Sequence, residues 1–195
     1  MSTSPKRIFL CRHGETEWTK SGQHTGLTDI ALTKKGEQEA QLLGKRLQGL
    51  QFAQVLTSPL KRALHTCALS GLSEAAQIDP DLTEWNYGKY EGLTLSQIQQ
   101  TDPDWNIFTN GAPQGESLAD MGKRVDRVLA KIESFTGDVA LFSHGHFLRA
   151  LAVKWLQLPL QDGRLFALSP ASLSTLGFEH TVQVLTLWND ISHLQ

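Results

Sequence analysis

Short runs of apolar residues recur along the chain and predict strands that are buried on both faces of a sheet. They lie at residues 8–11, 52–56 and 139–142, with a weaker strand at 77–78. Two further apolar stretches flank a polar turn and predict a terminal antiparallel hairpin. Its two strands are expected at residues 172–178 and 182–188.

Between these strands, apolar positions recur every three or four residues, which is the spacing of an amphipathic helix. Thr33 is predicted to cap a helix that ends near Gly49, and Pro59 is predicted to stand in the first turn of the next helix. Longer helices are predicted at 117–135 and 147–156. Strands that alternate with helices predict a three-layer α/β/α sandwich, with a mostly parallel sheet and one antiparallel edge strand.

Residues 82–115 show little periodicity and are rich in Trp, Tyr, Gly, Asn and Pro. We expect this segment to pass over the sheet as an irregular cover with one short helix near 94–100. Trp85 and Trp105 are the aromatic residues that we expect to line a pocket there. A length of 195 residues suits one compact domain, so residues 1–195 are expected to form a single domain.

Composition excludes several classes of protein. A formal net charge of -2 with 19% charged residues is an ordinary globular balance and lacks the basic excess of a nucleic-acid-binding protein. Cys11 and Cys67 are too few for a disulfide scaffold. The first apolar run is too short for a signal peptide, and no stretch is long enough to span a bilayer. We therefore expect a cytoplasmic protein that binds neither nucleic acid nor membrane; a homodimer is left open.

Candidate chemistry lies where the predicted strands end. His13 and His144 each follow a strand and precede a glycine, so adjacent strands would bring them together at the carboxyl edge of the sheet. Arg12 and Arg62 fall near strand ends as well. An arginine fork can donate two hydrogen bonds to one phosphate, and the free amides after Gly145 add further donors. This set of residues is typical of phosphoryl transfer.

A metal site is not expected at these histidines. His144 and His146 are two residues apart on a turn without a carboxylate partner, which is a poor match to a metal site. We therefore expect no metal and no cofactor, and we interpret His24 and His146 as surface or pocket-rim residues.

Residues 10–18 read LCRHGETEW and resemble the signature of the histidine phosphatase superfamily, which includes cofactor-dependent phosphoglycerate mutases, sugar bisphosphatases and broad acid phosphatases. Further segments resemble the family in the same order, so that the resemblance covers essentially the whole chain. These segments are Thr25-Gly26, Leu32-Thr33 with Gly36, Ser58-Pro59-Leu60 with Arg62, Ala63 and Thr66, Leu82-Thr83-Glu84 with Gly88, Glu91 and Gly92, Gly115-Glu116-Ser117, and Ser143-His144-Gly145. The resemblance implies a phosphoglycerate mutase-like sandwich.

The resemblance also implies a two-step hydrolysis of a small phosphate monoester. His13 attacks phosphorus, while Glu84 protonates the leaving oxygen and then activates the water that hydrolyses the phosphohistidine. The transferring group is stabilised by Arg12, Arg62 and His144. The residues expected to bind substrate are Arg12, Gln23, Thr25, Gly26, Arg62, Tyr87, His144 and Gly145.

Departures from the mutase pattern favour hydrolysis. A mutase must hold a second phosphate and a carboxylate, but between Arg62 and Lys123 the only basic residue is Lys89. Trp85 stands where the family's mutases commonly carry an arginine. Residues 17–26 resemble the branch that contains sedoheptulose and fructose bisphosphatases, so a sugar phosphate is the expected substrate.

Several alternatives stay open. A phosphoglycerate mutase is the first, a ribazole phosphate or broad acid phosphatase is the second, and a catalytically silent phosphate-binding interaction domain belongs to a different class. Retention of the complete predicted catalytic set favours an enzyme. Glu15, Glu91 and Glu116 are alternatives to Glu84 as the acid.

Overall fold

The computed structural model describes residues 6–195 and contains one six-stranded sheet. The strands are β1 (Ile8–Arg12), β2 (Gln54–Thr57), β3 (Ala76–Ile78), β4 (Val139–Ser143), β5 (Leu173–Glu179) and β6 (Val182–Asp190). Their order across the sheet is β3, β2, β4, β1, β5, β6. Residues 1–5, which belong to the N-terminal stretch considered for a signal peptide, lie outside the described residues.

The first four strands of the chain run parallel to one another, and β5 runs antiparallel to both of its neighbours. The prediction of a mostly parallel sheet is therefore confirmed; β5 is the reversed strand, and β6 forms the edge beside it. Strands β1 and β4 are neighbours, with Arg12 in register with Ser143 at their carboxyl ends. The residues that follow these two strands consequently emerge at the same edge of the sheet.

Seven α-helices accompany the strands in the described part of the chain. They are α1 (Glu17–Ser21), α2 (Lys34–Leu47), α3 (Lys61–Leu69), α4 (Leu95–Gln99), α5 (Ile107–Asn110), α6 (Leu118–Glu133) and α7 (Gly145–Trp155). Short 3₁₀ turns lie at Ser73–Ala75, Pro80–Leu82, Gly88–Tyr90, Leu160–Leu165 and Ser192–Leu194. Within residues 6–195, none of the helices combines the length and the apolar character needed to cross a membrane.

Helices cover both faces of the sheet, and β1 shows how the sequence divides between them. Ile8 and Leu10 point into the core layer formed with α6 and α7, whereas Phe9 and Cys11 point into the layer formed with α2 and α3. All four residues are buried because a central parallel strand has no solvent face. Each large side chain removed from water in this way contributes about 1.5–3 kcal/mol to the free energy that favours folding.

The start of α3 differs from the sequence prediction. The chain stays extended beyond β2, since the Ser58 amide donates to the Phe142 carbonyl at 2.9 Å. Leu60 is still extended, with φ -74° and ψ 135°, and the helix begins at Lys61. Pro59 therefore precedes the helix, and its predicted place in the first helical turn is wrong.

The covering segment contains more helix than the sequence indicated. The predicted short helix is present as α4, capped by Thr94. A second short helix, α5, follows Asn106, whose side chain accepts a hydrogen bond from the Phe108 amide. At four residues, α5 is too short to give a periodic signal.

Candidate active site

His13 and His144 come together at the carboxyl edge of the sheet. Their ring centroids are 5.2 Å apart, and both side chains are buried. Close backbone packing fixes the loop after His13, because Gly14 and Gly36 approach each other so closely that a β-carbon on either would overlap the opposite backbone. The Gly14 amide also donates to the Thr66 hydroxyl at 3.1 Å. The nucleophile candidate is thus held on a rigid turn.

The hydrogen bond at the His13 ring determines which nitrogen is free. Nδ1 lies 2.8 Å from the Gly14 carbonyl oxygen, which can only accept, so Nδ1 carries the proton. Nε2 is left with its lone pair. Burial lowers the pKa of His13 well below its ordinary value, and the charges of Arg62 and Arg12 act in the same direction. The ring is therefore neutral and nucleophilic at neutral pH.

His144 has the opposite tautomer. The Nε–H group of Arg62 donates to its Nδ1 at 3.1 Å, so the ring proton resides on Nε2, which lies 2.7 Å from the hydroxyl oxygen of Ser58. Burial lowers the pKa of His144 well below its ordinary value, and the charges of Arg62 and Arg12 add to that effect. His144 is thus a neutral residue that is fixed at both nitrogens.

The Arg62 guanidinium binds the chain as well as His144. Its Nη1 donates to the carbonyl of Thr28 at 2.9 Å, and its Nη2 donates to the carbonyls of Thr25 and Gly26 at 3.1 and 2.7 Å. Arg62 is fully buried. In this structure the residue therefore holds the loop over 25–28 in place beside the two histidines.

Arg12 is one of the two arginines that line the cavity. Its Nη1 donates to the carbonyl of Leu168, and its guanidinium lies over Gly145 at the start of α7. Its Nε is buried and, among residues 6–195, has no hydrogen-bond partner. A buried donor without an acceptor is costly, which makes Arg12 a ready partner for an oxyanion.

Glu84 is held by the first turn of α7 and by its own backbone neighbour. Its two carboxylate oxygens accept hydrogen bonds from the amides of Trp85, His146 and Phe147 at 2.9, 3.0 and 2.9 Å. Free amides at a helix start are suited to carboxylates and phosphates alike. The carboxylate is therefore fixed in position, and its side chain lines the same cavity as His13.

His13, Arg12 and Glu84 line a cavity of about 190 Å³. It is lined by Arg12, His13, Trp18, Thr19, Gly22, Gln23, His24, Thr25, Glu84, Tyr87, Gly145, His146, Arg149 and Leu168. Most of the residues expected at the site are thus on its wall. Gly26, Arg62 and His144 do not line the cavity; they form the buried layer that supports it.

The two tryptophans that the sequence predicted in the pocket wall lie elsewhere. Trp85 and Trp105 do not line the cavity, because both are buried and their ring N–H groups donate to the carbonyls of Glu116 and Gly111 at 2.8 Å. Trp18 provides an aromatic wall instead.

Other wall residues had no clear sequence signal. His146 belongs to an aromatic group in which Tyr87 and His146 are hydrogen-bonded and His24 stacks on His146 at 6.1 Å between centroids. Arg149 lies on α7, one turn beyond the histidine motif, and not in the covering segment, where the sequence analysis expected cations. Its position four residues after Gly145, one turn along α7, is the sequence feature that indicates a cation beside the histidines.

Comparison with known proteins agrees with the family resemblance seen in the sequence. The family model described as histidine phosphatase superfamily (branch 1) matches residues 8–191. An acid phosphatase of Mycobacterium tuberculosis is 42% identical over 199 residues, covering 100% of this chain and 98% of the relative. A sedoheptulose 1,7-bisphosphatase of Saccharomyces cerevisiae is 34% identical over 193 residues, covering 83% and 71%. The solved structure of a Mycobacterium tuberculosis open reading frame product superposes with a TM-score of 0.90 at 43% identity, covering 94% and 97%.

Proposed function

Because this chain belongs to the histidine phosphatase superfamily, we propose that it hydrolyses small phosphate monoesters, sugar phosphates in particular, through a phosphohistidine at His13. One observation carries the proposal. One cavity is lined by His13, whose Nε2 carries the lone pair, by Arg12, whose Nε has no acceptor within residues 6–195, and by Glu84. Nucleophile, cation and proton carrier are the three parts that phosphoryl transfer requires.

In the first step, the lone pair on His13 Nε2 forms a bond to phosphorus while the bond from phosphorus to the ester oxygen breaks. Protonated Glu84 gives its proton to that oxygen, so the alcohol leaves neutral. Arg12 donates to the non-bridging oxygens, on which negative charge accumulates in the transition state. The Gly14 carbonyl accepts the Nδ1–H of His13 and thereby orients the attacking ring.

In the second step, water attacks phosphorus and the bond to His13 Nε2 breaks. Ionised Glu84 removes one proton from that water and is thereby returned to its starting form. Inorganic phosphate leaves and His13 is neutral again. Arg62 and His144 act in both steps as the charged and hydrogen-bonded support beneath the phosphate, while Gln23, Thr25 and Tyr87 on the wall contact the rest of the substrate.

Hydrolysis of p-nitrophenyl phosphate in the presence of a chelator tests this proposal. The His13→Ala variant is expected to lose at least a thousandfold in kcat, because it removes the nucleophile. His65→Ala, at a half-exposed histidine on α3, is the matched control. A label from a ³²P-phosphate ester that is stable to alkali and labile to acid should be trapped on the parent and not on His13→Ala. Equal rates for the parent and His13→Ala would remove the proposal.

A phosphoglycerate mutase is the second candidate, and the position of Lys89 weighs against it. Lys89, the only basic residue between Arg62 and Lys123, is exposed and does not line the cavity. Incubation with 3-phosphoglycerate and its 2,3-bisphosphate primer distinguishes the two reactions. We expect inorganic phosphate to be released and 2-phosphoglycerate to stay absent; net formation of 2-phosphoglycerate would favour the mutase.

The proposal also includes the organisation of the protein. The family match over residues 8–191 supports one histidine phosphatase domain, with the segment near 82–115 as its cover. A cytoplasmic location and a homodimer stay predictions, for which cell fractionation and light scattering of the purified chain are the measurements.

A further inference from the structure

The carbonyl that holds Arg12 belongs to a segment without helix or strand, which joins the 3₁₀ turn at Leu160–Leu165 to β5. Nη1 of Arg12 donates to the Leu168 carbonyl in this segment. With Nη1 occupied, the edge formed by Nε and Nη2 is left for a phosphate, and two N–H groups on one edge can donate two parallel hydrogen bonds to one anion. The direction in which Arg12 presents that edge therefore depends on where the Leu168 carbonyl lies.

Asn189 fixes the peptide group to which that carbonyl belongs. The Leu168 carbonyl and the Ser169 amide are the two ends of one planar unit, called here the 168–169 peptide. The Ser169 amide donates to Oδ1 of Asn189 at 2.6 Å. Asn189, the 168–169 peptide and Arg12 thus form one chain of hydrogen bonds, in which each bond polarises the next. A peptide that is bonded at both ends cannot rotate and withdraw its carbonyl from Arg12.

The backbone of β6 places the side chain of Asn189. Near its end, β6 has one residue more than β5 between two registered pairs, which are Leu173–Asp190 and Thr175–Leu187. Such a β-bulge redirects a side chain away from the regular ladder. Asn189 lies in this bulge with φ 54°, a left-handed conformation that asparagine adopts more readily than most residues. Its amide donates to the buried hydroxyl of Ser174 at 2.9 Å, which anchors the bulge to β5.

The preceding residue secures the same segment. The ring N–H of Trp188 donates to the Ala167 carbonyl at 2.6 Å, and its ring packs edge-on against Phe166 with 5.2 Å between centroids. Two consecutive peptides of the segment are therefore bonded to two consecutive residues of β6. Neither Asn189 nor Trp188 lines the cavity, so neither contacts a substrate that lies at His13.

We propose that Asn189 is a positioning residue for phosphoryl transfer, which fixes the 168–169 peptide and through it the guanidinium of Arg12. The inference rests on the proposed function and adds to it a residue that does not touch the substrate. An arginine side chain has several rotatable bonds, so a guanidinium without a fixed acceptor would sample orientations that miss the phosphate. Both the binding of phosphate and the rate of its transfer depend on the orientation that Asn189 maintains.

Asn189→Gly removes the side-chain acceptor and keeps the backbone, because glycine adopts φ 54° without strain. We expect kcat/KM for p-nitrophenyl phosphate to fall about tenfold and the Kd of inorganic phosphate, measured by calorimetry, to rise by a similar factor. Asn189→Asp keeps an oxygen acceptor for the Ser169 amide and should stay within about threefold of the parent in both constants. His180→Gly is the matched control, since His180 has φ 56° at the exposed turn that starts β6, and both constants should stay at the parent's values.

A double-mutant cycle with Arg12→Met separates positioning from a general loss of structure. If Asn189 acts through Arg12, then Asn189→Gly should lower kcat/KM less than about twofold in the Arg12→Met background, measured at high enzyme concentration. Trp188→Phe keeps a ring beside Phe166 and loses the N–H donor. It passes through the same cycle, with an expected loss of about threefold in the parent alone, and replaces Asn189→Gly if thermal denaturation shows that the glycine variant does not fold.

Three results would overturn the inference. Parental values of kcat/KM and phosphate Kd in Asn189→Gly would show that the bond to the Ser169 amide does not matter to the site. A loss of kcat/KM by the same factor with and without Arg12→Met would show a structural role alone. An Asn189→Asp variant no better than Asn189→Gly would show that the oxygen acceptor is not the cause. A parent that releases no phosphate from p-nitrophenyl phosphate would instead remove the proposed function, and this inference with it.

Discussion

The hydroxyl of Ser58 lies 2.7 Å from Nε2 of His144 and accepts the hydrogen bond of that nitrogen in a fully buried ring. With the proton on Nε2, Nδ1 is free to accept the Nε–H of Arg62. Ser58 itself is placed by the backbone, since its amide donates to Phe142 at 2.9 Å. A neutral serine thus positions the charged arginine through the histidine between them, without reaching the cavity.

Ser58→Ala is expected to break the first of the hydrogen bonds that connect Ser58, His144 and Arg62. The variant leaves the Nε2–H of His144 buried without an acceptor, which costs about 1–3 kcal/mol in the free energy of unfolding. We expect kcat for an aryl phosphate to fall about tenfold, because Arg62 loses its fixed partner. Ser58→Thr, which keeps the hydroxyl, should recover most of the rate. Ser73→Ala, at an exposed serine, is the control; equal kcat for Ser58→Ala and Ser73→Ala would contradict the positioning role.

The buried histidines predict how stability depends on pH. The folded-state pKa values of His13, His144 and His146 lie well below 6.5, mainly through burial, whereas in the unfolded chain they are close to 6.5. As the pH falls below about 6.5, these histidines bind protons in the unfolded chain but stay neutral in the folded chain. The contribution of these rings is therefore complete above pH 6.5 and is lost as the pH falls towards their folded-state values.

Each such histidine lowers the free energy of unfolding by about 1.4 kcal/mol for each pH unit below 6.5. Thermal denaturation between pH 7.5 and 5.0 measures the effect, and a clear decrease in Tm is expected within that range. Surface carboxylates titrate mainly at lower pH, so this window reports the histidines. A Tm that stays constant down to pH 5.0 would mean that the three rings are not buried in their neutral form.

Glu84→Gln tests the acid by its dependence on the leaving group. We expect kcat/KM for a sugar phosphate, which reports phosphoryl transfer to His13 and not the later hydrolysis, to fall about 10²–10⁴-fold, since an alkoxide is a poor leaving group without a proton. The loss should be much smaller for p-nitrophenyl phosphate, whose phenolate leaves readily. Glu116→Gln is the control, because Glu116 is bonded to Arg124 at 2.6 Å and does not line the cavity. Equal losses for both substrates in Glu84→Gln would exclude proton donation by this residue.

The sequence predicted the sheet well because buried strands and capped helices are local signals. Residues 8–11 and 139–142 are apolar throughout, which predicts two buried strands; that β1 and β4 are neighbours, although they are far apart in the chain, is seen only in the structure. The sites of Trp85 and Trp105 could not be derived in that way. Whether an aromatic ring faces a cavity or the core depends on the path of an irregular segment, and no periodicity encodes that path.

The hydrogen bonds of Arg62 could not be predicted from the sequence for the same reason. Its residue type and place behind β2 indicate an anion-binding role, but the partners of its fork are set by the three-dimensional path of residues 25–28. Arg149 shows the converse case: it is close to the histidine motif in sequence, yet only the position of the Gly163 carbonyl directs its guanidinium into the cavity wall.

Arg62→Lys tests the role of this arginine in holding residues 25–28 in place. Lysine keeps the charge but loses the planar fork that donates to three carbonyls and to His144, so the free energy of unfolding should fall by about 2 kcal/mol or more. Hydrogen exchange of the Gly26 and Thr28 amides should accelerate, because both belong to the loop that the fork secures and otherwise donate only to Glu91. The variant's kcat/KM should fall at least a hundredfold.

Arg127→Lys is the matched control for this substitution. Arg127 forms its bidentate pair with Asp81 at the surface, where the exchange of one cation for another has little effect. Its variant should keep the parent's exchange rates at residues 25–28. If Arg62→Lys slowed catalysis while those exchange rates stayed at the parent's values, the arginine would act through its contact with phosphate alone. If exchange accelerated together with the loss of kcat/KM, the three carbonyl bonds would be part of how the site is built.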